Sequence, residues 1–249
     1  MRRGASVHFL HVFGLFFLLG ILGSGSLLAQ MTYPKRTPIR FEKYAEYEEE
    51  NSIFILSRII PLGFSHDGKF AYIIEPADEA CGCYFFELHI QDLNSDKKLY
   101  QKRFMYEEVT SQKWYQAWND HGEFLIKKIQ AHDIVLTAPK AQKLPIQTDS
   151  GTLQLRLDLE KKPDENMPNG EVVNLARVWL ASDQLGEKRI ASLRFPNNYV
   201  LGYEQGCYIK SPFEDRVAIV VLREDRGWEG PPNTINPVVI GALLKTRFQ

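Results

Sequence analysis

Residues 62–102, LGFSHDGKFAYIIEPADEACGCYFFELHIQDLNSDKKLYQK, decide how the rest of the chain reads. Ser65-His66-Asp67-Gly68 is a turn between two apolar runs, and Asn94-Ser95-Asp96 is a second turn after an alternating run. Side chains of a strand point alternately to opposite faces, so Tyr84, Phe86, Leu88 and Ile90 share one face and Phe85, Glu87, His89 and Gln91 the other. The first face predicts core and the second a mostly solvated surface. Phe70-Ala-Tyr-Ile-Ile74 has the length of a short buried strand, entered through Asp67-Gly68, a dipeptide that accepts positive φ at a tight turn. The stretch therefore predicts a meander of antiparallel strands.

The same pattern returns late in the chain. Cys207 to Leu222, CYIKSPFEDRVAIVVL, leads through a polar loop to an apolar stretch from Ile235 to Leu244. Ser211 aligns with Ser65, and Val217-Ala-Ile-Val-Val with Phe70-Ala-Tyr-Ile-Ile, if the second turn holds one extra residue. A Ser-x-Asp-Gly-Lys turn feeding a β-rich run, then a loop and an alternating strand, resembles one blade of a TolB-like β-propeller. The chain is also similar to a family of predicted secreted bacterial proteins of unknown function. These share an early Gly-Phe-Ser-x-Asp-Gly-[Lys/Arg] motif and a late Glu-Gly-Pro loop, here Gly63 to Lys69 and Glu229-Gly-Pro231. His66 stands where such motifs usually carry proline. The resemblance implies an exported protein of blade-like fold and implies no activity.

Residues 1–29 have the plan of a signal peptide. Arg2 and Arg3 form a basic start, Val7 to Leu22 is an apolar run broken by His8, His11 and Gly14, and Ser24-Gly-Ser-Leu-Leu-Ala29 supplies small residues for cleavage. The run is short for a membrane span, so contact with the membrane is expected only before cleavage. No Cys lies near the cleavage point. Export to the periplasm or the exterior of a bacterial cell envelope follows as the expectation. Cleavage removes two basic residues and no acidic one, leaving a net charge of about −3. That balance offers no electrostatic reason to expect nucleic acid, which needs a clustered basic surface.

Residues 30–51 form a polar arm with Pro34, Pro38 and an acidic stretch from Tyr44 to Glu50, read as a surface-clinging arm or short helix. Residues 52–249 then read as one β-rich domain, interrupted near 110–132 by a helical insertion. There Trp114, Tyr115, Trp118, Leu125, Ile126 and Ile129 recur at a period near 3.6, behind a cap at Thr110 or Ser111. Gly122 predicts a break near Asp120-His-Gly122. Pro139 and Pro145 mark a connector. Leu153-Gln-Leu-Arg-Leu-Asp-Leu159 is a strand with leucines on one face, 161–170 an exposed loop, and Val172–Ala181 with Lys188–Phe195 a hairpin across 182–187. About ten short strands make the fold class mainly β: antiparallel meanders, propeller-like but incomplete, since a full propeller has at least about four blades and only two blade-like stretches stand out.

Chemistry is sparsely signalled. No Gly-x-Ser-x-Gly elbow, phosphate-cradling loop or dinucleotide fingerprint occurs, so no catalytic residue and no cofactor is expected. His89 reads as a solvent-facing or cross-strand residue, and His121 and His132 as exposed near helix ends. Asp92 to Asp96 offers a partial oxygen set for calcium, and the lone Cys81-x-Cys83 lacks the paired spacing of a zinc motif, so no metal site is expected. In an oxidising compartment Cys83 with Cys207 is the candidate disulfide, Cys81 being the alternative partner. The loop Arg223-Glu-Asp-Arg-Gly-Trp-Glu-Gly-Pro-Pro-Asn233 sets an aromatic among charges and turn residues. Arg223, Arg226 and Trp228 are its candidate binding residues, because Trp and Arg anchor interfaces. The alternative is a long hairpin loop whose Trp228 folds back over the sheet end. The expected function is a non-enzymatic exported module that binds a partner protein or a surface ligand. The alternatives are an envelope hydrolase acting on glycans through carboxylates from separate strands, and a structural component of an envelope assembly.

Overall fold

The Ser65 turn folds as its residues dictate. Ser65 Oγ accepts the Lys69 N–H at 2.8 Å and donates to Asp67 Oδ1 at 2.5 Å, while Gly68 takes a φ of +89° that side-chain-bearing residues rarely adopt. The turn joins β2 (Arg58–Phe64) to β3 (Lys69–Glu75), and β4 (Phe86–Asp92) and β5 (Lys97–Phe104) continue the meander. With β6 (Val135–Leu136) these form a first sheet in the order β5-β4-β3-β2-β6. The computed structural model describes residues 38–41, 43–44, 54–77, 86–105, 114–137, 139–167, 170–196, 199–246 and 248. The expected signal segment, most of the polar arm, Cys81 and Cys83 lie outside them. All the described residues belong to one compact unit, Arg36–Gln249.

The second blade-like stretch builds a central sheet in the order β1 (Phe54–Leu56), β14 (Asn233–Leu243), β13 (Arg216–Asp225), β12 (Val200–Lys210) and β7 (Ala141–Lys143). Its Ser211 turn matches the Ser65 turn with one extra residue, as aligned. Ser211 N–H donates to Arg216 O at 2.9 Å, where Ser65 N–H donates to Lys69 O at 3.0 Å. The two turns touch, with the His66 and Phe213 rings 3.8 Å apart. β1 pairs with β14 in parallel, the one departure from antiparallel pairing among the described strands. A third sheet has the order β11 (Gly186–Leu193), β10 (Glu171–Ser182), β9 (Gly151–Pro163) and β8 (Ile146–Thr148). The fold is thus mainly β and antiparallel, in an incomplete propeller-like arrangement.

The central sheet is buried on both faces. Val217, Ile219 and Val221 of β13 join Leu153, Leu155, Val178 and Leu180 of the third sheet in one core. Ala218, Val220 and Leu222 join Ile59, Phe64, Phe70 and Tyr72 of the first sheet in another. An unbroken apolar run is what a strand with two buried faces requires, hence the lack of alternation in Val217–Leu222. The sheets approach closely enough that a Cβ on Gly241 of β14 would lie 2.0 Å from the Leu93 carbonyl oxygen, in the turn between β4 and β5. Glycine is needed there for space. Along β9 the core thins out: Leu153 and Leu155 are buried, Leu157 is half-buried and Leu159 is exposed, although β10 pairs with the strand from Gln154 to Pro163.

The predicted hairpin is present as β10 and β11, and the predicted helix as α1 (Trp114–Gln130). The helix runs through Gly122 without the expected break. Trp118, Leu125 and Ile129 form its buried stripe, and that packing outweighs the roughly 1 kcal/mol helix penalty of one glycine. It lies against β4 and β5, with Phe104 against the His121 and Phe124 rings at 4.8 and 6.3 Å. The proline-marked connector is more structured than predicted. It supplies β6, β7 and β8, one edge strand to each sheet, so a single stretch from Val135 to Thr148 crosses all three. Fourteen strands occur among the described residues where about ten were expected, the difference being mostly these two- and three-residue edge pieces. No helix among the described residues is long and apolar enough to cross a membrane.

Candidate functional site

At the end of the central sheet opposite the Ser turns, β13 stops at Asp225 and β14 resumes at Asn233. Arg226 N–H donates to Tyr199 O at 2.9 Å, which draws the start of β12 beside the loop. Arg226 Nη1 donates to Asn166 O at 2.8 Å, which brings in the loop between β9 and β10. Gly230 N–H donates to Gly227 O at 3.1 Å, closing a turn with Trp228 and Glu229 at its two corners. Gly230, at a φ of +107°, lets the chain leave that turn. Trp228 is 89% exposed and Tyr199 49% exposed. Trp228 therefore does not fold back over the sheet.

A buried polar layer underlies this loop. Arg223 Nε and Nη2 both donate to Asp225 Oδ2, at 2.9 and 2.6 Å, and Asn236 Nδ2 donates to the same oxygen at 3.0 Å. The Phe195 ring lies 3.8 Å from the Arg223 guanidinium carbon, a cation–π contact strengthened by desolvation. Ser57 Oγ donates to Asn236 Oδ1 at 2.8 Å and accepts the Ala77 N–H at 2.8 Å, tying the base to the end of β3. Tyr203 faces this layer. Burial first, and then the Asp225 charge, push its hydroxyl up to about 12 against the opposing effect of Arg223, so it stays protonated.

Of the three predicted binding residues, the structure thus gives Arg223 to the foundation and leaves Arg226 and Trp228 on the loop. Sequence reading missed Tyr199 and Phe195. Their signal was Phe195-Pro-Asn-Asn-Tyr199, a turn flanked by aromatics next to a strand. Asn166 and Asn236 carried no signal, because only tertiary folding brings them here.

The other expected polar features have structural employment. The face of β4 predicted to be solvated is buried: Glu87, His89 and Gln91 are each about 5% exposed or less. Glu87 accepts from Arg103 Nε at 2.6 Å and Gln101 Nε2 at 2.8 Å, and lies 2.9 Å from His89 Nε2. Burial works to raise the Glu87 carboxyl, yet the hydrogen bonds from His89 and Arg103 outweigh it and bring it down to about 2. A carboxylate so held is a fixed anion, unsuited to proton transfer near neutrality. His89 stacks on Tyr72 at 5.0 Å, and Tyr72 donates to Gln91 Oε1 at 3.0 Å, so His89 is a cross-strand residue and not a solvent-facing one.

The partial calcium set separates into two roles. Asp92 accepts from Asn94 and Ser95 within its own turn, whereas Asp96 accepts the Gly241 N–H at 2.7 Å across to the central sheet. No metal-holding group of three ligands occurs among the described residues. Asp149 and Asp215 line a hollow of about 240 Å³ with Lys210 and Lys245. The hydrogen bond from Lys245 holds the Asp215 carboxyl below its usual range. Cys207 is buried with its thiol free, and burial pushes that thiol up to about 12. It packs between the first and central sheets, while its expected partner Cys83 lies outside the described residues.

Comparison with protein families, with curated proteins and with solved structures finds no match to this chain.

Proposed function

We propose that the protein is an exported binding module of the bacterial cell envelope, engaging a partner protein or surface ligand through the loop end that carries Trp228, Tyr199 and Arg226. One observation carries the reading: a tryptophan 89% exposed at the corner of a short turn, on a loop underpinned by a buried Arg223–Asp225 pair and the half-buried Asn236. Exposing so large an apolar ring has a cost in water, and rigid aromatic anchors are what recognition surfaces use. Loops on a stiff sheet are the usual carriers of binding. Glu87 and Asp215 lend the hydrolase reading little support, because Glu87 is held by Arg103 and Asp215 by Lys245. Export rests on the basic, apolar and small-residue plan of residues 1–29, and the likeness to TolB-like blades agrees with an envelope setting.

The test is fractionation of cells carrying the full-length gene, followed by capture of partners with the wild type and with Trp228→Ala and Arg226→Ala. The expected result is a processed envelope protein whose capture of a partner is lost in Trp228→Ala. Recovery in the cytoplasm would refute the export half, and a partner set unchanged in both variants would refute the loop.

A further inference from the structure

We infer that the loop end binds a carbohydrate chain, the Trp228 indole forming the platform on which one pyranose ring stacks. The inference rests on the proposed role of this loop in binding and goes further by naming the ligand's chemical class.

The surroundings of Trp228 select it. A protein-binding anchor sits in a patch with a desolvated apolar centre. Here the ring's neighbours along the chain are Arg226, Gly227, Glu229 and Gly230, and the only other large exposed apolar side chain on these loops, among the described residues, is Tyr199. Aromatic face beside charged and amide groups is complementary to a sugar. The axial C–H groups of a glucose-type ring are weakly positive and meet the negative face of the indole, and its hydroxyls need donors and acceptors at the rim. Glu229, exposed on the same turn, offers two carboxylate oxygens to paired hydroxyls. Arg226 uses Nη1 for Asn166 O and keeps further N–H donors, since a guanidinium carries five.

Tyr199 supplies the second feature. Its carbonyl accepts the Arg226 N–H, and Trp228 lies two residues further along. A hydrogen-bonded neighbour lies roughly 5 Å away and two further residues add at most about 7 Å, so the Cα atoms of Tyr199 and Trp228 are within about 12 Å of each other. That is the reach of two or three linked sugar rings and suggests an oligosaccharide over a monosaccharide. The base is preorganised: Pro231 and Pro232 restrict the loop backbone, and Arg223, Asp225 and Phe195 support it from below. Little ordering cost then remains for binding. One stacked ring with a few exposed hydrogen bonds predicts millimolar affinity for a short oligomer, on the order of 4 kcal/mol.

The experiment titrates protein expressed from the full-length sequence with chitotetraose and with cellotetraose, following tryptophan emission. Trp228→Ala and Trp228→Phe are run alongside, each with a thermal unfolding scan. The expected result is a saturable blue shift with at least one oligomer, lost or weakened about tenfold or more in Trp228→Ala and partly kept in Trp228→Phe, with the unfolding midpoint unmoved. No saturable response to either oligomer, or a response equal in Trp228→Ala, would overturn the inference. If sugars fail and a protein partner is still captured in a Trp228-dependent way, the carbohydrate assignment falls and the loop stands. If neither depends on Trp228, both fall.

Discussion

Asp96 offers the sharpest test of how the first and central sheets are joined. It sits in the turn between β4 and β5 at a φ of 56°, with Oδ1 accepting the Gly241 N–H at 2.7 Å and Gln91 Nε2 at 3.1 Å. Gln91 also donates to Val239 O at 3.0 Å and accepts from Tyr72, so one carboxylate terminates a polar chain between two apolar layers. Burial, only partly opposed by the Gly241 and Gln91 hydrogen bonds, pushes this carboxyl from 3.8 up to about 6. At about 1.4 kcal/mol per pKa unit the rise amounts to roughly 3 kcal/mol. Because Asp96 is partly exposed, about 1–3 kcal/mol is the expected range. The sign follows from linkage: a carboxyl raised on folding binds more protons in the native state, so its stabilisation is complete below about 4 and is lost as pH rises through about 6. Asp96→Asn keeps the acceptor for Gly241, tolerates the left-handed backbone and carries no charge at any pH. Urea unfolding of both proteins between pH 4 and pH 8 should show near-equal stability at the acid end. At the neutral end the variant should be about 1–3 kcal/mol more stable. A difference constant with pH, or a variant less stable at pH 7, would refute the assignment of a partly desolvated carboxylate with a raised pKa.

Other expectations follow from packing. Gly122→Ala should stabilise the protein by about 0.5–1 kcal/mol in thermal unfolding, since the new methyl meets Trp118 at an ordinary 3.5 Å; destabilisation would mean that the helix is distorted there. Gly241→Ala places Cβ 2.0 Å from a backbone oxygen and should destabilise by about 3 kcal/mol or more in urea unfolding, and a neutral result would mean that the sheets are not in contact at Leu93. Arg223→Ala removes the cation that balances the buried Asp225 carboxylate and should cost about 3–5 kcal/mol, whereas Trp228→Ala should stay within about 0.5 kcal/mol of wild type. Calorimetry of the two together separates the foundation from the exposed ring, and an equal loss in both would contradict that division.

Much of the fold was legible because it rests on local rules. The Ser65 and Ser211 turns, the hairpin of β10 and β11, and the helix over Trp118–Ile129 are each written in short-range periodicity and turn chemistry, which act within a few residues. The short strands around the connector marked by Pro139 and Pro145 carry no sequence signal, because a strand of two or three residues exists only when a distant edge is there to pair with it. The helix break expected at Gly122 failed for a related reason: propensity is a local quantity, and the buried Trp118–Leu125–Ile129 stripe overrides it. For the candidate site, the loop 223–233 was visible as a charged, aromatic turn, yet the roles within it were not.

By itself the sequence determined that the chain is β-rich, that two Ser-led units share one design, and that the aromatic loop joins two late strands. Only the tertiary structure decided which faces are dry. The polar side of β4 is buried against the central sheet, β13 is covered on both sides, and of Arg223 and Trp228, five residues apart, one lies under Phe195 and the other in solvent. The physical reason is that alternation tells two faces of a strand apart, while the burial of each face depends on which sheet is laid against it.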